Sequence, residues 1–252
     1  MNVIACIKRV PDSAARIRPA ADGKSINAAG VKFVTSPFDE LALEEALRQR
    51  DEAGEGTVTA ISVGPPECAD ILRSALALGA DEAVLLSRGE EHRLDPVMAA
   101  GALAEEIREC AFDLVLTGKQ AIDDEGGQAP ALLAEALGVP FAPAAVALTV
   151  EDGRAVARRE VEGGLEILEF DLPAVVSVDK GINLPRYPNL KGIMAAKRKP
   201  LEVKEAAGRS TGRLELVALE EPPPKGAGRI LGEGPDAARE LAHVLREEES
   251  LI

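Results

Sequence analysis

Residues 113–138 read D-L-V-L-T-G-K-Q-A-I-D-D-E-G-G-Q-A-P-A-L-L-A-E-A-L-G, and this stretch decides the fold. Residues 114–116 form a short apolar strand. The polar loop after it carries the pair Gly126-Gly127, and residues 130–137 have the composition of a helix. Pro130 suits the first helical turn, where a missing N–H costs nothing. Gln128 just before it offers an amide donor. A strand, a glycine-rich turn and a helix start present free backbone N–H groups to an anion, with the helix dipole in favour. At the carboxyl end of a parallel strand this is a place for a nucleotide phosphate. A βα loop with glycines and no ligand looks similar, so the surrounding chain has to decide.

Upstream, strands and helices alternate. Residues 2–10 read as the first strand and leave Lys8 and Arg9 at its end. Residues 13–34 are polar, with a turn signal at Asp22-Gly23, and read as a hairpin-like excursion. Ser36 reads as an N-cap, Pro37 as the first helical residue, and Asp39 and Glu40 as acids at the positive end of the dipole. Phe38, one of only five phenylalanines, sits oddly at the start of this helix. Residues 57–63 form a second strand closed by Gly64, residues 67–78 a helix stopped by Gly79, residues 83–86 a third strand, and residues 95–109 a helix opened by Asp95-Pro96. This order implies an α/β, Rossmann-like parallel sheet with helices on both faces.

The pattern changes after Pro140. Residues 144–150, 154–161 and 165–171 read as strands, the last two as a β-hairpin, and residues 174–179 as a further strand. The loop that follows, G-I-N-L-P-R-Y-P-N-L-K-G, places Tyr187 and Leu190 in polar company, which suggests a contact surface. Residues 193–199 read as a short basic helix or turn. In an acidic chain, Lys191, Lys197, Arg198 and Lys199 are either a solvated face or a docking patch. Residues 214–219 read as a strand, and residues 235–248 as a final amphipathic helix. The chain thus divides into a nucleotide-binding domain, 1–199, and a C-terminal arm, 200–252.

Composition excludes several functions. The 252 residues are 46% hydrophobic but only 2% aromatic, with a formal charge of −14. Nucleic acid and anionic membranes are poor partners for such a surface. No run is long and apolar enough for membrane insertion, and the N-terminus does not read as a secretory signal. Cys6, Cys68 and Cys110 are widely spaced and read as buried thiols, while His92 and His243 suggest no metal site. There is no G-x-G-x-x-G, no G-x-x-x-x-G-K-[ST] and no G-x-S-x-G. The residues offer a binding site but no catalytic set.

Several stretches together resemble the beta (small) subunit of electron transfer flavoprotein. They are V-I-A-C-I-K-R-V-P-D, S-P-F-D-E-L-A-L-E-E-A-L-R, D-L-V-L-T-G-K-Q-A-I-D-D, R-R-E-V-E-G-G-L-E and L-P-A-V-V-S-V-D-K-G-I-N-L-P-R-Y-P-N-L-K-G-I-M-A-A-K-R-K. The resemblance runs nearly unbroken to residue 204 and is looser beyond. It implies an adenine-nucleotide alpha-hydrolase-like fold and a heterodimer. The alpha subunit holds most of the redox-active FAD, and the beta subunit holds AMP. The C-terminal arm packs on the alpha subunit. Electrons arrive from acyl-CoA or related flavin dehydrogenases and leave to a quinone oxidoreductase. The chain is then an electron-carrier subunit without catalytic residues of its own, in a bacterial cytoplasm.

Carried over residue by residue, the resemblance implies an AMP site of Ala5, Cys6, Ser36, Val63, Gly64, Asp124, Gly127, Gln128 and Ala129. It implies that Phe38 approaches the partner's flavin, that Glu160 pairs with the alpha subunit, and that Leu190, with Tyr187 nearby, enters a pocket of the dehydrogenase. The chain departs from the family at Ser36, Ala129 and Pro130, where asparagine, threonine and glycine are usual, and at Ser13, where some members carry tyrosine. A bifurcating branch binds a second FAD in place of AMP. Its R-A-F-A-G-x-D-T stretch is absent here, although Arg88 is present, so the AMP type is favoured. An ATP-using enzyme on a related fold would need a glycine motif after the first strand, where Lys8 to Asp12 offer none. A stand-alone nucleotide-sensing module would not explain the detached tail or the Leu190 loop.

Overall fold

Val3, Ile4, Ala5 and Cys6 are all buried, because β1 (Val3–Cys6) crosses the middle of a sheet covered on both faces. The computed structural model describes residues 1–88, 95–206, 213–224 and 226–251. The chain continues through β2 (Arg9–Pro11), β3 (Phe33–Thr35), α1 (Pro37–Ala53), β4 (Val58–Gly64), α2 (Ala69–Leu78), β5 (Glu82–Ser87), α3 (Pro96–Arg108), β6 (Leu114–Gly118) and α4 (Ala129–Leu137). It then forms β7 (Phe141–Glu151), β8 (Arg154–Val161), β9 (Gly164–Asp171), β10 (Ala174–Val178), α5 (Leu190–Ala196), β11 (Leu201–Glu205) and α6 (Gly234–His243).

Among the described residues, the main sheet has the order β11-β5-β4-β1-β6-β10-β7-β8-β9. It is parallel from β11 to β7, and β8 and β9 add an antiparallel extension. The fold is α/β and Rossmann-like. The pleat sends alternate side chains of each strand to opposite layers. Val3, Ala5, Leu114 and Leu116 pack in one core with α1 and α2. Ile4, Cys6 and Val115 pack in the other with α3 and α4. Leu, Val, Ile and Ala dominate both cores.

Four features depart from the sequence reading. The first strand stops at Cys6 because the chain turns away at Lys8, whose N–H donates to Asp39 Oδ2 at 2.8 Å. Residues 9–11 instead pair antiparallel with 33–35. A fifth α-helix begins at Leu190, three residues earlier than read, because the Asn189 side chain accepts from Gly192 N at 2.8 Å and caps it. Residues 201–205 join the sheet edge beside β5, beyond the boundary expected at 199/200. Residues 214–219 form no strand: Leu214 and Val217 are exposed, and the backbone N–H groups of Leu214 and Leu219 donate to Asp95 Oδ2 and Gly23 O rather than to a ladder.

The chain divides into two compact units, 1–219 and 220–252. In the second, Arg229 pairs with Glu248 at 2.7 Å and Glu240 at 3.7 Å, and α6 buries none of its own residues. Among the described residues, no helix is long and apolar enough to cross a membrane.

Candidate functional site

After β5 the chain returns to place β6 on the far side of β1. The sheet's order reverses there, and a crevice opens at the carboxyl ends of the two strands. The crevice encloses about 160 Å³. Cys6 and Lys8, Ile61 and Val63, and Thr117 and Gly118 line it from three strand ends. The starts of α3 and α4 close its other side with Asp95, Pro96, Gln128, Ala129 and Pro130.

One end joins the Gly126-Gly127 turn to the start of α4. Lys8 Nζ lies 2.8 Å from Asp123 Oδ1 and 3.0 Å from Asp124 Oδ2, tying the loop to the end of β1. Asp124 Oδ1 accepts from Gly126 N at 3.1 Å and turns the chain. Gly127 has φ +60°, and a side chain there would be strained besides meeting the Lys119 carbonyl at 3.4 Å. Gln128 takes the N-cap position of α4 without a capping side-chain bond, so its amide is not committed to the helix. The N–H groups of the first turn have no partner within the helix, and Gln128, Ala129 and Pro130 there line the crevice.

The floor of the crevice rests on Asp39. Its Oδ2 accepts from Lys8 N and its Oδ1 from Gly118 N at 2.9 Å, so one carboxyl joins the ends of β1 and β6. Burial pushes this carboxyl up to about 7, against the lowering effect of the two N–H donors. The sequence reading gave Asp39 only a dipole role. A free aspartate titrates near 3.9, so between that pH and 7 the folded protein holds a proton that the unfolded chain has released. The stability contribution is therefore full below about pH 4 and falls as pH rises towards 7, by of order 4 kcal/mol. Asp39→Asn is expected to remove that part of the slope. Urea melts of both proteins from pH 4 to 7 measure it, and parallel profiles would contradict it.

The structure brings Cys6, Val63, Asp124, Gly127, Gln128 and Ala129 together around the crevice. It does not bring Ala5, Ser36 or Gly64 to the lining. Ala5 points into the opposite core, as the pleat requires. Gly64 abuts Cys68, whose Sγ would lie 2.7 Å from an added Cβ. Ser36 is fully buried at the N-cap position of α1, yet its side chain makes no cap bond and its hydroxyl has no partner. Ser36 is thus the N-cap residue the sequence implies, but through its backbone carbonyl, which accepts from Asp39 N and Glu40 N, and not through its side chain. Lys8, Asp95 and Thr117 are lining residues that the sequence reading did not select. Asp95, read only as a helix start, accepts from Met98 N at 2.7 Å, and its second oxygen accepts from Arg213 N and Leu214 N. Thr117 pairs in register with Cys6 and carries a buried hydroxyl without a partner.

Phe38 is buried beside Gly118, with Lys119 Nζ 5.1 Å and Lys180 Nζ 5.7 Å from its ring centroid. Lys119 also pairs with Asp179 at 2.7 Å. A second, exposed region lies in the loop after β10. Leu184, Tyr187 and Leu190 are 91%, 93% and 74% exposed, and Met194 extends the apolar patch. Of the basic cluster, Lys199 is structural, donating to Ala80 O at 2.6 Å and Leu76 O at 3.3 Å. Lys191, Lys197 and Arg198 are exposed. Glu160 is exposed on β8, opposite Leu165 of β9. The residues around Arg88 and His92 lie partly outside the described chain: 89–94 are not described.

Comparison with known proteins agrees with this architecture. A family model described as electron transfer flavoprotein domain matches residues 24–208. Electron transfer flavoprotein subunit beta of Sus scrofa is 38% identical over 98% of this chain and 97% of that protein. The subunits of that name from Bradyrhizobium diazoefficiens and Bacillus subtilis are each 36% identical over the full length of both chains. A crevice at the sheet's switch point, joined to this full-length similarity, leads to one assignment: the chain belongs to the electron transfer flavoprotein family, among its beta subunits.

Proposed function

We propose that this chain holds AMP in the crevice between β1 and β6 and docks a flavin dehydrogenase through the loop after β10. In this reading it pairs with an alpha subunit that carries most of the FAD. Electrons pass from an acyl-CoA or related flavin dehydrogenase to that FAD and on to a quinone oxidoreductase. The observation that carries the reading is the crevice itself. It offers apolar walls from Ile61, Val63 and Leu103, and at its other end the start of α4 with the Gly126-Gly127 turn. A flat apolar base and an anionic phosphate match those two ends.

The residues of this chain bind and orient. Lys8 offsets the charge of Asp123 and Asp124 and holds the loop open towards the phosphate. Gln128 and the first N–H groups of α4 take the phosphate oxygens in place of the hydroxyl lost at Ala129. When bound in the heterodimer, FAD supplies the one-electron chemistry. Phe38 and the cations over it sit at the end of α1 that would approach the flavin, and Glu160 holds the alpha subunit's flavin region.

Stopped-flow mixing of the heterodimer with a substrate-reduced acyl-CoA dehydrogenase tests the carrier role. Reduction of the heterodimer's flavin, followed by reoxidation on adding quinone oxidoreductase, is the expected result. A flavin that stays oxidised with every flavin dehydrogenase of the source cell would overturn it.

A further inference from the structure

The loop that carries Leu184, Tyr187 and Leu190 is polar and turn-rich, yet its backbone is not left to itself. The Arg186 guanidinium grips Glu44 of α1 with both oxygens, Nε to Oε2 at 2.8 Å and Nη2 to Oε1 at 3.0 Å. The backbone N–H of the same arginine donates to Glu44 Oε2 at 3.1 Å. Three residues earlier, Asn183 Nδ2 donates to Leu41 O at 3.0 Å and to Glu45 Oε2 at 2.9 Å. Ile182 is buried, and Arg48 Nη1 reaches its carbonyl at 3.4 Å. Gln49 Nε2 in turn holds Glu45 Oε1 at 2.8 Å.

Glu44 and Glu45 are 6% and 2% exposed. Two buried carboxylates on one helix turn are costly unless paired and hydrogen-bonded. Here every partner that is not on α1 comes from the loop. A planar fork on a carboxylate fixes direction as well as distance. The apolar side chains of the loop gain nothing from this in the chain alone, since they stay in solvent. Along α1, Glu44 lies six residues from Phe38, about 9 Å by helical rise. The same rigid helix therefore carries the loop's anchor and the crevice-side end at Phe38 and Asp39.

We propose that Arg186 and Glu44 are positioning residues for electron acceptance: their ion pair sets the docking loop on α1 in its binding conformation. The inference rests on the reading of that loop as the dehydrogenase's docking site. The anchor removes in advance the entropy that a free loop would lose on docking. It also fixes the docked donor relative to the flavin-facing end of α1.

The test uses the complete heterodimer with a substrate-reduced acyl-CoA dehydrogenase, comparing wild type, Leu190→Ala, Arg186→Met, Arg186→Lys and the double variant Glu44→Gln/Arg186→Met. Arg186→Met is expected to raise the concentration of dehydrogenase needed for half-maximal rate roughly tenfold, the cost of re-ordering one or two residues. The saturating rate and the FAD content should stay near wild type. Arg186→Lys should recover part of the loss, since it keeps the charge without the fork. The double variant removes the stranded buried carboxylate and should recover thermal stability but not half-saturation. If it recovers both, the pair is structural only and the proposal is overturned. If Arg186→Met matches wild type while Leu190→Ala is slow, the proposal fails and the docking reading stands. If Leu190→Ala matches wild type, the docking reading fails and takes the proposal with it.

Discussion

Leu190→Ala is expected to lower the second-order rate of electron acceptance about thirtyfold, with FAD content unchanged. Leu190 opens α5 and is largely exposed, flanked by the exposed Tyr187 and Met194. An apolar anchor that fills a pocket on a partner is worth about 2 kcal/mol or more when truncated, which is roughly thirtyfold in rate. The same truncation on a solvent-facing side chain changes folding stability by only about 0.5 kcal/mol. The two readouts therefore separate docking from folding. Stopped-flow reduction of the heterodimer gives the first and urea denaturation the second. Equal acceptance rates in both proteins would remove Leu190 from the docking site.

Gly118→Ala is expected to destabilise the chain by about 3 kcal/mol and to abolish nucleotide binding. Gly118 ends β6 at the floor of the crevice, directly against the first turn of α1. A Cβ there would lie 2.5 Å from Asp39 Oδ1, 2.7 Å from Phe38 Cβ and 2.8 Å from the Phe38 carbonyl carbon. Two of those atoms are backbone or directly attached to it, so relief needs a shift of α1 itself. Such a shift pulls Asp39 from the N–H of Gly118 and opens the join between β1 and β6. Gly126→Ala is the matched control. Its Cβ would sit 3.6 Å from Asp124 Oδ1, an ordinary contact. Urea midpoints of both variants check the contrast in stability, and AMP titration of Gly118→Ala against wild type checks the loss of binding. A Gly118→Ala protein as stable as Gly126→Ala would mean that α1 yields without cost.

Much of the fold is legible because local signals and burial agree. Apolar runs such as residues 58–63 and 174–178 lie in parallel strands covered on both faces, where continuous hydrophobicity is required. Asp95-Pro96 opens a helix with a true side-chain cap. Gly126-Gly127 and Pro130 mark a turn and helix start that line one end of the crevice. Features set by distant partners are less legible. Residues 201–205 alternate charged and apolar side chains and become a strand only because β5 offers an open edge. Residues 214–219, L-E-L-V-A-L, are more apolar still and yet pair with no strand among the described residues.

The site shows the same division. Cys6 and Val63 line the crevice because the odd–even pleat points them there, whereas Ala5, one residue away, belongs to the other core. Asp39 looks like any acid in a first helical turn. Its role depends on Lys8 and on Gly118, 79 positions away. Glu44 and Arg186 are 142 positions apart, and although each lies in a stretch that carries the family resemblance, nothing in either stretch pairs the two. Residue type alone marks Glu44 as an exposed charge, whereas the loop's return to α1 makes it a buried partner.

The measurement that bears most directly on the account is the nucleotide content of this chain purified with its alpha subunit, by denaturation, absorbance and mass analysis. One FAD and one AMP per heterodimer is the expected result, with the AMP lost in Gly118→Ala. Two FAD molecules and no AMP would contradict it, and would make the crevice between β1 and β6 a second flavin site.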